Sequence, residues 1–137
     1  MRNSLCLLCY RVRERWCIFL NQFKSYDIFI IVDCNFQPLI ELKNKYKNIK
    51  FIKIDDLKCI NSGYYNSVNE LWKRSEYKVI SWDKALYYFS RIFKNYENVW
   101  LLEDDVFFYN ENTIINIDNK NKKADLIIKK FNPENNK

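Results

Sequence analysis

Asp27-Ile-Phe-Ile-Ile-Val-Asp33 is the stretch that decides the fold of this chain. Its interior consists only of apolar residues, most of them β-branched, and an aspartate stands at each end. A short apolar run of this kind is typical of a β-strand that is buried on both faces. Such strands occur in sheets that helices cover on both sides, so the sequence predicts an internal strand of an α/β fold.

A helix and an earlier strand precede this stretch. Residues 5–10 form a compact apolar run, which predicts a first strand that is also buried on both faces. Between the two runs, apolar residues recur at helical spacing and predict an amphipathic helix near 12–24: Val12, Trp16, Phe19, Leu20 and Phe23. A strand, a helix and a second strand in this order form a right-handed crossover, which predicts a parallel sheet.

Two more strands follow. Residues 48–55 alternate apolar and charged side chains, which predicts a third strand near an edge of the sheet, after a short helix over 39–46. Ser81 is a good N-cap for a helix over 82–94, whose predicted apolar face is formed by Trp82, Ala85, Leu86, Phe89, Ile92 and Phe93. That helix leads into a fourth strand over 99–103.

The predicted fold class is α/β, with a mostly parallel sheet flanked by helices. A single domain is expected over residues 1–131, with a frayed tail over 132–137. Residues 57–80 predict a loop with a helical turn at 68–72. A short helix after Tyr109 and a last strand over 124–129 are also expected.

Three consecutive carboxylates, Glu103-Asp104-Asp105, stand where the fourth strand ends. Residues 106–109 are apolar again and predict that the strand resumes. Because side chains alternate along a strand, Glu103 and Asp105 are expected on one face and Asp104 on the other. Two carboxylates on one face suit a hard cation such as Mg2+ or Mn2+. The alternative is a solvated turn that closes the strand.

Asp33 ends the second strand, and open α/β sheets bind ligands at the carboxyl ends of their strands. If both strands are parallel, Asp33 lies at the same edge of the sheet as Glu103-Asp104-Asp105. The alternative role for Asp33 is to cap the turn over 34–38. Asp55-Asp56 is a second acidic pair, but its members are adjacent in sequence, so their side chains are expected to diverge.

Composition excludes several classes of site. The chain has no histidine, which excludes Ser-His-Asp and Cys-His catalysis and zinc held by histidine. Its single glycine, Gly63, excludes the P-loop and the dinucleotide-binding fingerprint, because both need several glycines. The net charge of +6 favours partners that carry phosphate, although scattered lysines also serve solubility.

The five cysteines, an odd number, mostly stand in apolar surroundings. They predict buried free thiols in a reducing compartment rather than a disulfide framework. Cys6 and Cys9 have C-x-x-C spacing, but no second pair accompanies them, which argues against zinc. The apolar stretch over 5–9 is too short for a secretion signal or a membrane span, so we expect a cytoplasmic protein.

The order of elements, together with Leu101-Leu102-Glu103-Asp104-Asp105-Val106, resembles the nucleotide-sugar-binding half of the GT-A glycosyltransferases. The residue sequence of the motif is similar to that found in their lipopolysaccharide-type branch. The resemblance implies that the acid-x-acid (DxD-type) motif, Glu103 and Asp105, holds Mn2+ or Mg2+ against the diphosphate of a nucleotide-sugar donor. It also implies that Asp104 lies near the sugar or its ribose.

The same resemblance implies further donor contacts. Asp33, at the end of the second strand, would contact the base or ribose of the donor. Tyr10 and Arg11, after the first strand, and Asp83 and Lys84, at the start of the helix before the motif, would line the pocket. The implied activity is metal-dependent transfer of a sugar to a glycan or protein acceptor.

Other functions are also open. In the resembled family an acceptor-binding half follows the motif, whereas this sequence ends soon after it, so a truncated noncatalytic relative is one alternative. Such a relative would bind nucleotide sugar or a partner subunit that supplies the acceptor site. A basic nucleic-acid-binding module using Tyr64, Tyr65, Tyr87 and Tyr88 ranks lower, because helical spacing places some of these on core faces. Phosphoryl transfer by the same carboxylates is a further alternative.

Overall fold

A computed structural model of the chain describes residues 2–33, 39–63, 81–92 and 95–127. Four strands and five helices lie in these ranges. In chain order they are β1 (Asn3–Cys9), α1 (Glu14–Leu20), β2 (Tyr26–Val32), α2 (Ile40–Lys45), β3 (Ile49–Lys53), α3 (Asp56–Asn61), α4 (Ser81–Ile92), β4 (Asn98–Glu103) and α5 (Glu111–Lys120).

The strands form one sheet in the order β3-β2-β1-β4, and each neighbouring pair is parallel. In the register, Cys9 of β1 stands opposite Val32 of β2, and Leu8 stands opposite Glu103 of β4. The predicted α/β class with a parallel sheet is confirmed. The strand over 27–33 is internal, as its unbroken apolar interior indicates.

Burial of β1 and β2 on both faces stabilises the centre of the sheet. Leu5, Leu7 and Ile30 are fully inaccessible to solvent. The opposite face of the same strands packs against α3 and α4 in one cluster, which contains Cys6, Leu8, Phe29, Ile31, Ile54, Cys59, Ala85 and Tyr87. Burying a leucine, isoleucine or phenylalanine side chain contributes about 1.5–3 kcal/mol, so these two strands are the main source of fold stability.

The third strand, β3, lies at an edge of the sheet, as its alternation predicts. Ile49 and Phe51 are buried, whereas Lys50 and Lys53 are exposed. Lysines on an edge strand oppose pairing with a second chain, because association would bury their charge.

A charged cluster ties the amino ends of the strands together. Asp27 of β2 accepts a hydrogen bond from the Tyr96 hydroxyl at 2.6 Å. The same carboxylate forms ion pairs with Arg2 at 3.3 Å and with Lys50 of β3 at 3.6 Å. These contacts join the entry to β4 and the starts of β1 and β3 to β2.

The structure differs from the sequence prediction in several segments. Residues 106–109 do not resume β4, and 124–127 do not form the expected last strand, whose remainder, 128–129, lies outside the described residues. Leu86, expected in the core, is exposed on α4. A six-residue helix, α3, occupies 56–61, where a loop was predicted. The expected helical turn over 68–72 also lies outside the described residues.

The chain divides into two compact units, residues 1–107 and 108–137. The first contains the sheet and α1 to α4. The second contains α5, in which Ile114 is buried and Asn121 closes the carboxyl end through its backbone N–H and side-chain amide. The predicted boundary at 131 and the tail over 132–137 lie outside the described residues.

None of the helices in the described ranges combines the length and apolar character needed to cross a membrane.

Candidate functional site

The carboxyl ends of all four strands meet at one edge of the sheet, because the strands are parallel. Two backbone hydrogen bonds continue the ladder past the strand ends: Asp33 N–H donates to the Cys9 carbonyl at 3.0 Å, and Ile54 N–H donates to the Val32 carbonyl at 2.9 Å. Asp33 and the acidic triplet therefore lie at the same edge, two strands apart. Their predicted placement is confirmed, and their binding role stays a prediction.

The acidic triplet forms a turn, which we call the acidic turn, residues 103–106. The strand ends at Glu103, and the Val106 N–H closes the turn by donating to the Glu103 carbonyl at 3.2 Å. The predicted alternation of side chains past Glu103 is wrong, because alternation requires extended backbone and residues 104 and 105 are in a turn. Glu103 and Asp105 are exposed, and Asp104 is half-buried.

Asp104 lies close to the end of β1. Burial, the charge of Asp104 and the neighbouring Cys17, in that order of importance, together raise the pKa of the Cys9 thiol to about 12. In the strand register, Leu8 near the end of β1 stands opposite Glu103, the residue before Asp104. The acidic turn therefore stands beside the end of β1, next to the segment that begins with Tyr10.

An aromatic contact anchors the chain after the acidic turn. Phe107 stacks on Trp16 of α1, with ring centroids 5.3 Å apart and planes 17° from parallel. The Arg15 guanidinium lies 6.0 Å from the Phe107 ring centroid. The turn is thus held by strand pairing on one side and by this stack on the other, although Phe107 is itself 69% exposed.

A second acidic group at this edge surrounds Lys84. The Lys84 ammonium donates to Asp33 at 2.8 Å and lies 3.0 Å from Asp56. Exposure of the side chains is 7% for Lys84, 14% for Asp33 and 21% for Asp56. Burial lowers the pKa of Lys84, but the hydrogen bonds to Asp33 and Asp56 outweigh it and leave the pKa raised. Lys84 is therefore a permanent positive charge held between two carboxylates.

This ion-pair group joins three elements. Asp33 follows β2, Asp56 begins α3 and Lys84 stands in the first turn of α4. The resemblance places Lys84 against the donor. In the structure, the Lys84 ammonium contacts the carboxylates of Asp33 and Asp56. The side chain of Asp83 lies outside the described part of α4, and its expected donor contact stays a prediction.

Asp55 and Asp56 diverge, as their adjacency predicts. Asp55 caps α3, because its carboxylate accepts the Lys58 N–H at 3.2 Å, and its own N–H donates to the Tyr88 hydroxyl at 2.8 Å. Asp56 instead turns to Lys84. Sequence reasoning missed both roles, although an aspartate followed by an acidic first turn is a recognised start of a helix.

Tyr10 and Arg11 stand directly after β1, at the middle of the edge. Tyr10 is 64% exposed, and the Arg11 guanidinium lies 5.8 Å from its ring centroid. Both side chains are exposed and lie on the same strand end that Asp104 approaches. They are accessible to a ligand at this edge, as their predicted role requires.

The tyrosines of α4 do not form an exposed aromatic surface. Tyr87 is buried, and Tyr88 is half-buried and engaged with Asp55. Tyr64 and Tyr65 lie outside the described residues. The helix therefore uses its tyrosines in packing, which weakens the interpretation as a nucleic-acid-binding module.

The described cysteines are Cys6, Cys9, Cys17 and Cys59, and all four are free and buried. Burial is the main reason that their pKa values rise to between about 11 and about 12. Their thiols are thus uncharged near neutral pH. The prediction of buried free thiols is confirmed for these four, while Cys34 lies outside the described residues.

Across the ranges that the structure describes, no three or more histidine, cysteine or acidic side chains are arranged to hold a metal ion. A complete protein cage is therefore absent there. Mg2+, however, is usually held by one or two carboxylates together with substrate phosphates and water. Glu103 and Asp105 offer exposed carboxylates of that chemical kind, and their binding of a cation stays a prediction.

Comparison with known protein families, curated proteins and solved structures finds no match to this chain. The functional features of the chain are those of the carboxyl edge of its sheet. There the acidic turn, the Tyr10–Arg11 pair and the Asp33 carboxylate paired with Lys84 lie at neighbouring strand ends.

Proposed function

We propose that this chain binds a nucleotide-diphosphate sugar at the carboxyl edge of its sheet, with Mn2+ or Mg2+ held by Glu103 and Asp105. The proposed activity is transfer of the sugar to a glycan or protein acceptor, as in a metal-dependent GT-A glycosyltransferase. One observation carries this proposal: a parallel sheet presents Asp33 and the acidic turn at the same edge. The two are separated by the end of β1, where Leu8 pairs with Glu103.

The charge at this edge supports a role for a cation. Asp33, Asp56 and the three residues of the acidic triplet contribute negative charge, and Lys84 is already paired. Lys84 and Arg11 offset only part of the charge of these five carboxylates, so a positive ion that came with a diphosphate would reduce the remaining repulsion. The cation would neutralise the charge that develops on the leaving diphosphate, which is the main electrostatic requirement of glycosyl transfer.

The chain's own residues would orient the donor. Asp33 is held in place by Lys84 and would accept hydrogen bonds from the ribose or base. The exposed ring of Tyr10 offers a flat apolar surface, and Arg11 beside it carries a charge suited to phosphate. Asp104, near the end of β1, would face the sugar or ribose. Asp83 would be a further donor contact. Lys84 would act indirectly, by fixing the Asp33 carboxylate through their hydrogen bond.

A second candidate is a noncatalytic relative that binds nucleotide sugar while a partner subunit supplies the acceptor site. Exposed apolar side chains next to the acidic turn favour it: Val106 is 42% exposed and Phe107 is 69% exposed. Apolar groups at the rim of a site mark surfaces that a partner or acceptor covers. Transfer of sugar by the purified chain alone would select the enzyme, and binding without transfer would select the relative.

We also propose a cytoplasmic location. The free buried thiols among the described cysteines support it, because such thiols are typical of a reducing compartment.

Thermal unfolding with a panel of nucleoside diphosphates and nucleotide sugars, with and without Mn2+, tests the proposal. A true donor should stabilise the fold only when Mn2+ is present. At a concentration about 100 times its dissociation constant, a ligand stabilises the folded state by about 2.7 kcal/mol, a shift that is readily measured. No Mn2+-dependent shift with any donor in the panel would contradict the proposal.

A further inference from the structure

Two arginines at the start of α1 carry charges that no carboxylate in the described ranges balances. Arg13 directly precedes the helix, Arg15 lies in its first turn, and both side chains are exposed. None of the ion pairs between described residues involves either guanidinium. Glu14, the carboxylate between them in sequence, instead accepts hydrogen bonds from Lys45 and Tyr46. The start of α1 therefore presents two accessible positive charges.

Exposed apolar side chains stand beside these arginines. Ile18, one helical turn after Arg15, is 53% exposed, and Phe107 is 69% exposed. The Arg15 guanidinium lies 6.0 Å from the Phe107 ring centroid. Residues three apart on a helix share a face, so Arg15 lies next to both apolar side chains. We call Arg13, Arg15, Ile18 and Phe107 the α1 surface.

The Phe107 ring is held in position before any partner arrives. It stacks on Trp16, with ring centroids 5.3 Å apart, and Trp16 is itself buried. A partner that covers the exposed part of Phe107 would therefore not have to order the ring first. Ordering side chains is one of the main costs of association, so this stack favours binding at the α1 surface.

Arginines beside exposed apolar groups fit a layer of anionic lipid. Guanidinium groups form paired hydrogen bonds to phosphate, and each basic residue near an anionic membrane strengthens binding about fivefold. Bulky apolar side chains enter the boundary between headgroups and acyl chains. Single-stranded nucleic acid would also use arginines and an aromatic ring, but it offers no apolar medium for an aliphatic side chain such as Ile18. The α1 surface therefore fits lipid better than nucleic acid.

We propose that the α1 surface attaches this chain reversibly to membranes that carry anionic phospholipids. Arg13 and Arg15 bind the lipid phosphates, while Ile18 and Phe107 enter the headgroup region. The acidic turn directly precedes Phe107 and is repelled by an anionic layer, so the contact is limited to α1 and Phe107. The attachment needs neither nucleotide nor divalent cation, so it does not rest on the proposed function.

Co-sedimentation of the purified chain with lipid vesicles, in excess lipid at low salt and without metal, measures the attachment. One set of vesicles contains phosphatidylcholine alone, and the other contains equal parts of phosphatidylcholine and phosphatidylglycerol. We expect binding to the anionic vesicles only. Binding should decline as salt rises, because salt screens the arginine charges.

The variants separate charge from apolar insertion. Arg13→Gln with Arg15→Gln should weaken binding about 30-fold, which is about fivefold for each charge. Ile18→Gln should weaken binding about fivefold without changing its salt dependence, since lipid would cover only the exposed half of this side chain. All three substituted side chains are exposed, so the melting temperature of each variant should stay close to that of the natural chain.

Lys58→Gln is the matched control for Arg13→Gln, because it also removes one positive charge from an exposed residue. Lys58 pairs with Asp55 at 3.7 Å, so its loss should change vesicle binding by less than about twofold. Equal weakening by Lys58→Gln and Arg13→Gln would mean that net charge alone governs the binding, and it would overturn the inference.

Three other results would also overturn it: no binding to the anionic vesicles, equal binding to neutral ones, or unchanged binding by the double arginine variant. Binding of a single-stranded oligonucleotide through the same arginines, without binding of vesicles, would overturn it as well and assign the α1 surface to nucleic acid. The proposed function fails on a different result, the absence of Mn2+-dependent donor binding, so the two claims are tested separately.

Discussion

Removing the Lys84 charge should destabilise the metal-free protein more than removing either of its partners. Lys84→Met removes the ammonium that two shielded carboxylates, Asp33 and Asp56, share. Asp56→Asn leaves Lys84 and Asp33 as a balanced pair at 2.8 Å. Loss of the cation therefore removes an attraction from both carboxylates, whereas loss of Asp56 keeps the contact between Lys84 and Asp33.

The magnitude follows from burial. Breaking a fully buried ion pair by removing one partner costs about 3–5 kcal/mol, and an exposed pair contributes about 0.2–1 kcal/mol. Because the carboxylates here are 14% and 21% exposed, Lys84→Met should cost about 2–3 kcal/mol. Asp56→Asn should cost about 1 kcal/mol, since it keeps a hydrogen-bond acceptor near Lys84.

Urea unfolding of each variant in chelator provides the measurement, with Asp55→Asn as a neighbouring control. Asp55 caps α3 and does not pair with Lys84, so its loss should cost about 1 kcal/mol by a different route. In a double-mutant cycle, Asp56→Asn should recover part of the cost of Lys84→Met. If Lys84→Met costs no more than Asp56→Asn, the charge balance assigned to this group is incorrect.

Three further predictions concern residues that support the fold of the described chain. Phe107→Ala should lower stability by about 1 kcal/mol, measured by tryptophan fluorescence in urea, because the largely exposed ring loses its stack on Trp16; an unchanged midpoint would refute the anchor. Burial and the hydrogen bond to Asp27 raise the pKa of Tyr96 from 10.0 to about 12, so its contribution to stability is complete below pH 10 and is lost between pH 10 and 12. The melting temperature of Tyr96→Phe should therefore fall less than that of the natural chain between pH 10 and 12. Gly63→Ala should cost about 1 kcal/mol, read as a lower urea midpoint, because Gly63 has φ +83° and only the backbone resists the added Cβ.

The local pattern of apolar residues was sufficient to predict the strands of the sheet. The apolar runs of β1 and β2 and the alternation in β3 each arise from burial of one short segment, so their origin is visible in adjacent residues. The same patterns place Asp33 and the acidic triplet at one edge once the strands are parallel. The site's location could thus be predicted without any tertiary contact.

What could not be predicted depends on distant partners or on where a strand stops. Lys84 was expected to line a donor pocket, and that role stays a prediction. Its pairing with Asp33 and Asp56 was not foreseen, because these residues come from segments far away in sequence. The turn at Asp104 and Asp105 breaks the alternation inferred from the apolar residues on either side. The contact of Phe107 with Trp16 holds that segment away from a continued strand, and nothing in 106–109 alone indicates it.

Calorimetric titration of Mn2+ with a nucleoside diphosphate into the natural chain and into Asp105→Asn tests the central claim most directly. Glu97→Gln is the matched control, because Glu97 is an exposed carboxylate that directly precedes β4, at the other end of the strand from the acidic turn. We predict Mn2+-dependent binding to the natural chain and the control, and its loss in Asp105→Asn. The metal-free stability of Asp105→Asn should be unchanged or slightly raised, since a charge is removed from a crowded acidic turn. Equal binding to all three proteins, or binding to none across the donor panel, would contradict the assignment of the acidic turn as the cation site.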